Sequence, residues 1–383
     1  MRLKMLVSYL ETSANVSTFV AFDGGVQQLN GEDTALILPF VLGAICALGI
    51  GGNVLLLAVL THNVKATGAS DTAALLTNLS AADLLLLALC APARALTYRA
   101  RAWTLGPVAC RMTEWLQHGC LAGKAFTLAL LGRARHDLHT RVASDAHLKV
   151  KRTALTVCAV WTTALAFPVA DIVFSNLHVK GNVSLCVSEL APHSSGFVRA
   201  YGKVLPLAAY AAPVLFAAVC HIRNIFKSIP RAREASAARR GEIALSLLSV
   251  TAANALALLP EWGAWAWSRH SAREGCGPPA ALLVFAQVCM YLSSALTPAI
   301  LLSTLVPLRE SLTRACVRVA SRRAAVNNAK MHSEGGTSEV LADSLGRPLP
   351  DLEHFWSGRQ NPTVPDNTDP FPWERMDQGN TDL

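Results

Sequence analysis

The sequence predicts an all-α membrane protein: a bundle of seven transmembrane helices with a short amphipathic eighth helix at its inner end. Three observations carry this. Of the 383 residues, 52% are hydrophobic and 16% charged, an apolar excess and a charge deficit against the average soluble domain. The apolar residues gather in blocks of 18 or more, the length that crosses ~30 Å of hydrocarbon. Lys and Arg concentrate in alternate loops, as expected for a chain that crosses a bilayer repeatedly. A soluble helical protein of this size would need far more charged surface.

Seven blocks can be traced, at 35–61, 72–97, 108–132, 153–174, 203–226, 242–267 and 280–305. The third and sixth are the weakest by hydropathy, because Glu114, Lys124 and Glu261 interrupt them. The opening MRLKMLVSYLETS has too short an apolar core for a cleavable signal, so the first span is expected to direct insertion. Arg141, Lys149, Lys151 and Arg152 follow block three, Lys227, Arg231, Arg233, Arg239 and Arg240 follow block five, and Arg309, Arg314, Arg318, Arg322 and Arg323 follow block seven. The opposite loops hold fewer basic residues (Arg99, Arg101, Lys180, Arg273). The expected arrangement is therefore an extracellular tail over 1–34, a transmembrane domain over 35–305 and a cytoplasmic C-terminus. The net charge of +8 is then a property of the inner face and calls for no nucleic acid.

Sequons at Asn15 and Asn182 fall on the expected outer side and are candidate glycosylation sites. A third, at Asn78, lies inside a span, out of reach of that chemistry. Most of the ten cysteines lie within apolar blocks, where packing explains them. Cys110 and Cys186 differ: both fall on the oxidising side, one opening block three and one in the loop after block four, and a disulfide between them is expected. Cys276 is a third outer cysteine, left single.

Past the last span, Leu308, Leu312, Ala315, Cys316 and Val319 recur at helical spacing with arginines beside them. Residues 306–320 are accordingly expected to form an amphipathic helix on an anionic leaflet, with Cys316 a candidate palmitoylation site. From residue 321 the composition turns to Ser, Pro, Asn, Gly and Asp, expected to be a disordered cytoplasmic tail over 321–383. Phe355-Trp356 and Phe371-Pro372-Trp373 stand out there as short docking motifs. The terminal Thr381-Asp382-Leu383 fits a strand-addition ligand for PDZ domains.

Lys124 poses the sharpest chemical question. It lies among Ala122, Gly123, Ala125 and Phe126, about 16 Å along a helix from Arg135. An ammonium at that depth costs at least ~2.5–3.5 kcal/mol, so it needs a partner. Its stem is too short to reach either interface. No metalloprotease, nucleophile-elbow, phosphate-loop or CxxC motif is present, so an enzyme is not expected and no cofactor is implied. Intramembrane Asp83, Lys124 and Glu261 keep a transporter open, although the internal repeats of transporters are not found.

The landmarks also carry a family resemblance. GIGGNVLLL with Asn53, NLSAADLLL with Asp83, WTLGPVAC with Cys110, then Trp161, Pro213, Pro260 and Pro298 follow in order over residues 35–320. This order resembles the rhodopsin-like (class A) G-protein-coupled receptors, and within them the peptide-receptor branch with the galanin-receptor group. The resemblance implies a plasma-membrane receptor passing an outside signal to a heterotrimeric G protein of the inhibitory type and to arrestin. It places coupling at Arg135 and His136. It also assigns Asp83 and the third-helix residue Lys124 to the place where such receptors hold a sodium ion, so the ammonium would stand in for that ion.

Several positions depart from the pattern. The Asp-Arg-Tyr triplet reads Ala134-Arg135-His136, the sixth-helix aromatic switch is Leu258, and the seventh-helix Asn-Pro-x-x-Tyr reads Thr297-Pro298-Ala299-Ile300-Leu301. His221 stands at the fifth-helix tyrosine. Standard coupling is thereby in question, while the fold is not. Gln117 stands where amine receptors carry an aspartate, which argues against a protonated amine. Block seven has no lysine, which excludes a retinal Schiff base. The expected ligand pocket is formed by Arg94, Tyr98, Glu114, Gln117, His118, Tyr201, Glu261, Trp262 and Trp265, with Trp115 and Lys203 beside them, a mixed aromatic rim suited to a peptide. Outer His118, His178, His193 and His270 admit protons as an alternative signal, since histidine titrates near pH 6.5. A signalling-silent receptor that scavenges ligand or scaffolds partners is the remaining alternative.

Overall fold

The computed structural model describes residues 19–22, 32–67, 70–136, 146–180, 183–190, 195–228, 235–270 and 277–335. After a strand β1 (Phe19–Phe22) come α1 (Glu32–Thr67), α2 (Asp71–Ala100), α3 (Gly106–His136) and α4 (Ala146–Ala166, with a further short turn Val169–Phe174). A hairpin β2 (Ser175–Lys180) and β3 (Val183–Leu190) follows, then α5 over 195–228, α6 (Ala235–His270), α7 (Ala280–Thr304) and α8 (Val306–Gly335). Met1–Leu308 and Arg309–Leu383 are separate compact units.

Six of the seven helices before α8 are long and apolar enough to cross a membrane: α1, α2, α4, α5, α6 and α7. The exception is α3, which is 31 residues long but carries Arg111, Glu114, Lys124 and Arg133. Its position explains its composition. It packs against α2, α4, α5 and α6, so Glu114 and Lys124 meet protein rather than lipid, while Arg111 and Arg133 lie exposed toward its two ends. The whole unit is apolar outward and polar inward: Phe40 is 77% exposed and Leu48 75%, whereas Asp83, Gln117, Lys124 and Thr127 are at 0%. A protein in water would reverse that gradient; hydrocarbon solvent requires it.

Close helix contact rests on small residues. A Cβ at Gly52 would lie 2.9 Å from the Pro298 ring, and one at Gly132 2.9 Å from Cys220 Cβ, so α1 meets α7 and α3 meets α5 nearly backbone to backbone. Asn53 fastens the first of these seams, its Nδ2 donating to Gly49 O at 2.9 Å and Ser294 O at 3.0 Å. Asn78 ties three helices, accepting from Trp161 Nε1 at 2.8 Å and donating to Thr127 Oγ1 at 2.8 Å. Its sequon is therefore spent on packing.

Prolines interrupt the helices in ways that serve the site. The π turn Leu86–Cys90 of α2 precedes Pro92, and the π turn Leu207–Ala211 of α5 precedes Pro213. Each absorbs the carbonyl clash and the missing N–H of the proline that follows. In α5 the turn presents Tyr210, whose hydroxyl donates to Ala255 O. That carbonyl lies just before Pro260, in the stretch of α6 where a proline disturbs the hydrogen-bond ladder.

Strands were not expected in the outer segments. Yet β1, β3 and β2 form one antiparallel sheet in that order, with Val20 opposite Glu189 and Leu177 opposite Cys186. The cause is visible in VSLCVSEL, whose apolar residues alternate, and in the two-residue Gly181-Asn182 connection, a hairpin signal. Cys186 on β3 is disulfide-bonded to Cys110 at the head of α3, with Cα atoms 5.6 Å apart. Trp103 packs on the bridge, its N–H donating to Ser184 O at 2.7 Å and its indole to Gly106 O at 2.8 Å. Gly106, at φ +82°, takes a left-handed turn that favours glycine.

The last helix also differs from expectation. The spacing of apolar residues predicts 306–320, but the helix continues to Gly335, through Ser321-Arg-Arg-Ala-Ala-Val-Asn-Asn-Ala-Lys. Ala, Arg and Lys are strong helix formers, and no Pro or Gly intervenes before Gly335. Residues 336–383 lie outside the described residues.

Candidate functional site

Two polar layers cross the interior of the bundle. The deeper one is centred on Lys124 of α3. Its Nζ is 2.6 Å from Asp83 Oδ1 of α2, and it donates to Ser294 Oγ at 3.0 Å and Ser293 Oγ at 3.2 Å on α7. Both charged side chains are fully buried. Just below, Asn254 of α6 donates to Thr297 Oγ1 at 3.3 Å. The ammonium thus faces one carboxylate and two hydroxyls, surroundings that can hold such a charge in low dielectric.

The outer layer is larger and draws on six elements. Arg94 of α2 meets Glu114 of α3 at 2.6 Å. One turn deeper, Gln117 donates from Nε2 to Glu261 Oε1 of α6 at 3.1 Å and accepts from Tyr291 Oη of α7 at 3.3 Å. His118 turns the other way. Its Nδ1 is 2.9 Å from Asp171 Oδ2, in the short turn after α4, and 3.1 Å from Glu114 O. With two oxygens in reach, Nδ1 carries the hydrogen. Asp171 also faces Arg269 of α6 at 3.4 Å, and Arg269 Nη1 donates to Ser188 Oγ of β3 at 2.9 Å. One carboxylate therefore joins α3, α6 and the hairpin strap.

Aromatic rings fill the space between. Trp262 and Trp265 lie 6.1 Å apart and edge-on, with the His118 ring 5.5 and 5.6 Å from them. Tyr201 reaches Trp265 at 5.7 Å, Tyr210 stacks on Trp262 at 6.0 Å, and the Arg269 guanidinium sits 4.9 Å above Trp265. Such cation–π and edge-to-face contacts hold side chains in fixed positions. Trp262 and Trp265 are buried at 2% and 8%, whereas Trp267 is 45% exposed, the placement of an interfacial belt residue.

Of the residues expected in the ligand pocket, Arg94, Glu114, Gln117, His118, Tyr201, Glu261, Trp262 and Trp265 come together in this layer, and Tyr98 is buried against the same core. Trp115 does not join them: it faces α4, donating to Leu165 O at 2.8 Å. Lys203 is exposed on α5. Asp171, Arg269, Gln287 and Tyr291 were missed. Asp171 in PVADIVF carried a usable signal, a lone acid inside an apolar block; Gln287 and Tyr291 carried only their inward helical phase.

Arg135 and His136 occupy the last two positions of α3, and their side chains lie outside the described residues. So do Asn15, Asn182, Cys276 and Thr381–Leu383. Cys316 is an exposed free cysteine. Among the described residues no group of His, Cys, Asp and Glu could hold a metal ion.

A lipid-facing helical bundle with a central α3, a disulfide-anchored outer hairpin and an inward polar layer joined to that hairpin through Arg269 and Ser188 defines a seven-helix membrane receptor. The family described as the 7 transmembrane receptor (rhodopsin family) matches residues 52–301, and the chain belongs to it. It is a multi-pass membrane receptor and not an enzyme. It is 29% identical to human G-protein coupled receptor 151 over 402 aligned residues, covering 96% of each chain. It is 27% identical to rat galanin receptor type 1 over 239 residues, covering 61% of this chain and 68% of that one. Xenopus laevis neuropeptide Y receptor type 1 matches at 24% over 270 residues, 64% and 72% of the two chains.

Proposed function

We propose that the chain is a plasma-membrane receptor, N-terminus outside, that receives a peptide in the outer polar layer and signals through a heterotrimeric G protein of the inhibitory type. The observation that carries this reading is the outer layer itself. Buried charges, hydrogen-bonding amides and rigid aromatic rings from α2, α3, α5, α6 and α7 converge beneath the hairpin. Such a surface suits a ligand with both polar and apolar side chains. Similarity to the galanin and neuropeptide Y receptors agrees in kind.

Coupling falls to the inner end of α3 at Arg135 and His136, with arrestin as second partner. Departures from the family pattern at Ala134, His136, Leu258 and Leu301 point to weak coupling. Palmitate on Cys316, glycans on Asn15 and Asn182, and a PDZ protein at Thr381–Leu383 belong to the same reading. Family membership sets the transporter alternative aside. G-protein dissociation measured in cells expressing the full chain tests the proposal. Basal or peptide-evoked dissociation of an inhibitory G protein is expected; complete silence against a broad peptide set leaves the scavenger or scaffold role. Galanin is expected to act weakly, and potent suppression of cyclic AMP by galanin would overturn that expectation.

Protons are a second reading, resting on the outer histidines His178, His193 and His270 beside His118. Signalling would then rise as pH falls from about 7.5 to 6, the range in which an ordinary histidine gains its charge. A flat response over that range excludes it.

A further inference from the structure

The three carboxylates of the outer layer are not equivalent. Glu114 faces the Arg94 guanidinium at 2.6 Å. Asp171 faces His118 at 2.9 Å and Arg269 at 3.4 Å. Glu261, only 7% exposed, receives its hydrogen bond from the neutral amide of Gln117. It stands nine residues before the outer end of α6 at His270, roughly 13 Å in along the axis. An acid held at that depth with a neutral partner is costly and marks a functional position by default.

A second, independent observation lies beside it. The indole nitrogens of Trp262 and Trp265, and Gln287 Oε1 on α7, are buried and make no hydrogen bond. Buried donors and acceptors without partners cost free energy unless something arrives to meet them. Trp262 follows Glu261 on α6 with Trp265 about one turn further out, and Gln287 stands about one turn outward of Tyr291 on α7, so one extended molecule entering from the outer side could engage them in succession.

We propose that Glu261 is the subsite for a cationic group of the peptide ligand, a guanidinium or an ammonium, with the neighbouring indole N–H groups and Gln287 Oε1 meeting carbonyls and amides of the adjoining residue. The inference rests on the peptide-receptor reading above and deepens it. Gln117 at the amine-receptor position had argued against a protonated amine; the carboxylate instead comes from α6 and reaches the same amide. An arriving cation would supply the charge partner that Gln117 cannot, and the rings of Trp262 and Trp265 would add cation–π attraction.

The test uses purified full-length receptor in nanodiscs and three capped or uncapped probes: N-acetyl-arginyl-tryptophan amide, its citrulline counterpart, and glycyl-tryptophan amide with a free ammonium. Thermal stability is read against probe concentration. The arginine or the ammonium probe should raise Tm, and whichever does so names the cation's source. The citrulline probe, which has the same shape without charge, should bind at least about tenfold more weakly, as should the cationic probe to Glu261→Gln. Equal effects of arginine and citrulline probes, an unchanged response in Glu261→Gln, or no shift with any probe would overturn the proposal. The arginine–citrulline comparison needs no variant, so a folding defect in Glu261→Gln leaves the test standing. Basal G-protein dissociation, measured on the same receptor in cells, reports separately on the receptor reading.

Discussion

The two polar layers of the bundle obey one physical rule and reach opposite results. At mid-depth, one cation meets one anion and two hydroxyls, and every member is sealed from solvent. In the outer layer, three carboxylates, two guanidiniums and an imidazole are spread over α2, α3, the turn after α4 and α6. The inner layer is closed around its ion pair, with cation and anion in direct contact and both fully buried. The outer layer is branched, and its charges can be shared in more than one way. Buried charge serves as a fixed bolt in one place and as a recognition surface in the other.

The comparison can be broken most forcefully at the bolt. Asp83→Asn strands the Lys124 ammonium and should cost about 3–5 kcal/mol, seen as loss of surface expression and lower Tm. Lys124→Ser should be milder, because a small cation can enter beside Asp83, and it should create a dependence on sodium that the parent lacks. The double change Asp83→Asn with Lys124→Ser should recover most of the stability. Absence of rescue, together with no gain of sodium dependence, would mean that the two charges do not neutralise one another in the folded receptor.

Next in size is the strap over the outer layer. Cys110→Ala or Cys186→Ala should cost about 2–5 kcal/mol and reduce surface expression; normal surface levels in both would rule out a structural bridge. Within the branched layer a single change should be smaller. Asp171→Asn keeps the shape but weakens the bonds to His118 and Arg269, with an expected loss of about 1.5–3 kcal/mol by thermal unfolding. A cost as large as that of Asp83→Asn would show the outer layer to be as rigidly committed as the inner one.

The smallest effect is expected outside both layers. Arg152 and Asp71 pair at 3.1 Å with side chains 47% and 37% exposed. Arg152→Ala should change stability by less than about 1 kcal/mol, and a larger loss would mean that solvent screens this pair less than its exposure implies.

Much of this arrangement is legible in the sequence. Spans of fixed length, loops with alternating basic content and two isolated charges at matching depth are properties of the chain itself. They specify a bundle and demand a partner for Lys124, because hydrocarbon admits few alternatives. The outer layer was legible only in its membership. That Gln117 turns to Glu261 while His118, its neighbour, turns to Asp171 depends on helix rotation and on the π turns, which shift the phase of everything beyond them. The hairpin leaves no mark in hydropathy, because VSLCVSEL is too short and too polar to form an apolar block. The length of α8 is not legible in composition alone, because polar residues suit a disordered tail as well as a helix, and here Ala, Arg and Lys favour the helix.

The modest apolarity of α3 bears on how the receptor is made. During synthesis α2 emerges first, carrying Asp83, and α3 follows with Lys124. Each alone presents the translocon with a charged segment whose insertion is opposed by ~2.5–3.5 kcal/mol at mid-helix. Together they present a neutral hairpin, since the ammonium and carboxylate meet at 2.6 Å. We therefore expect α2 and α3 to leave the translocon as a pair rather than in sequence. A chain truncated after α2 should partition poorly, one extended through α3 should insert fully, and glycosylation mapping of the two would show it; equal insertion of both would mean that each helix enters on its own. The lysine that looks out of place in the finished receptor would then be part of its assembly order, a charge whose partner is always already waiting.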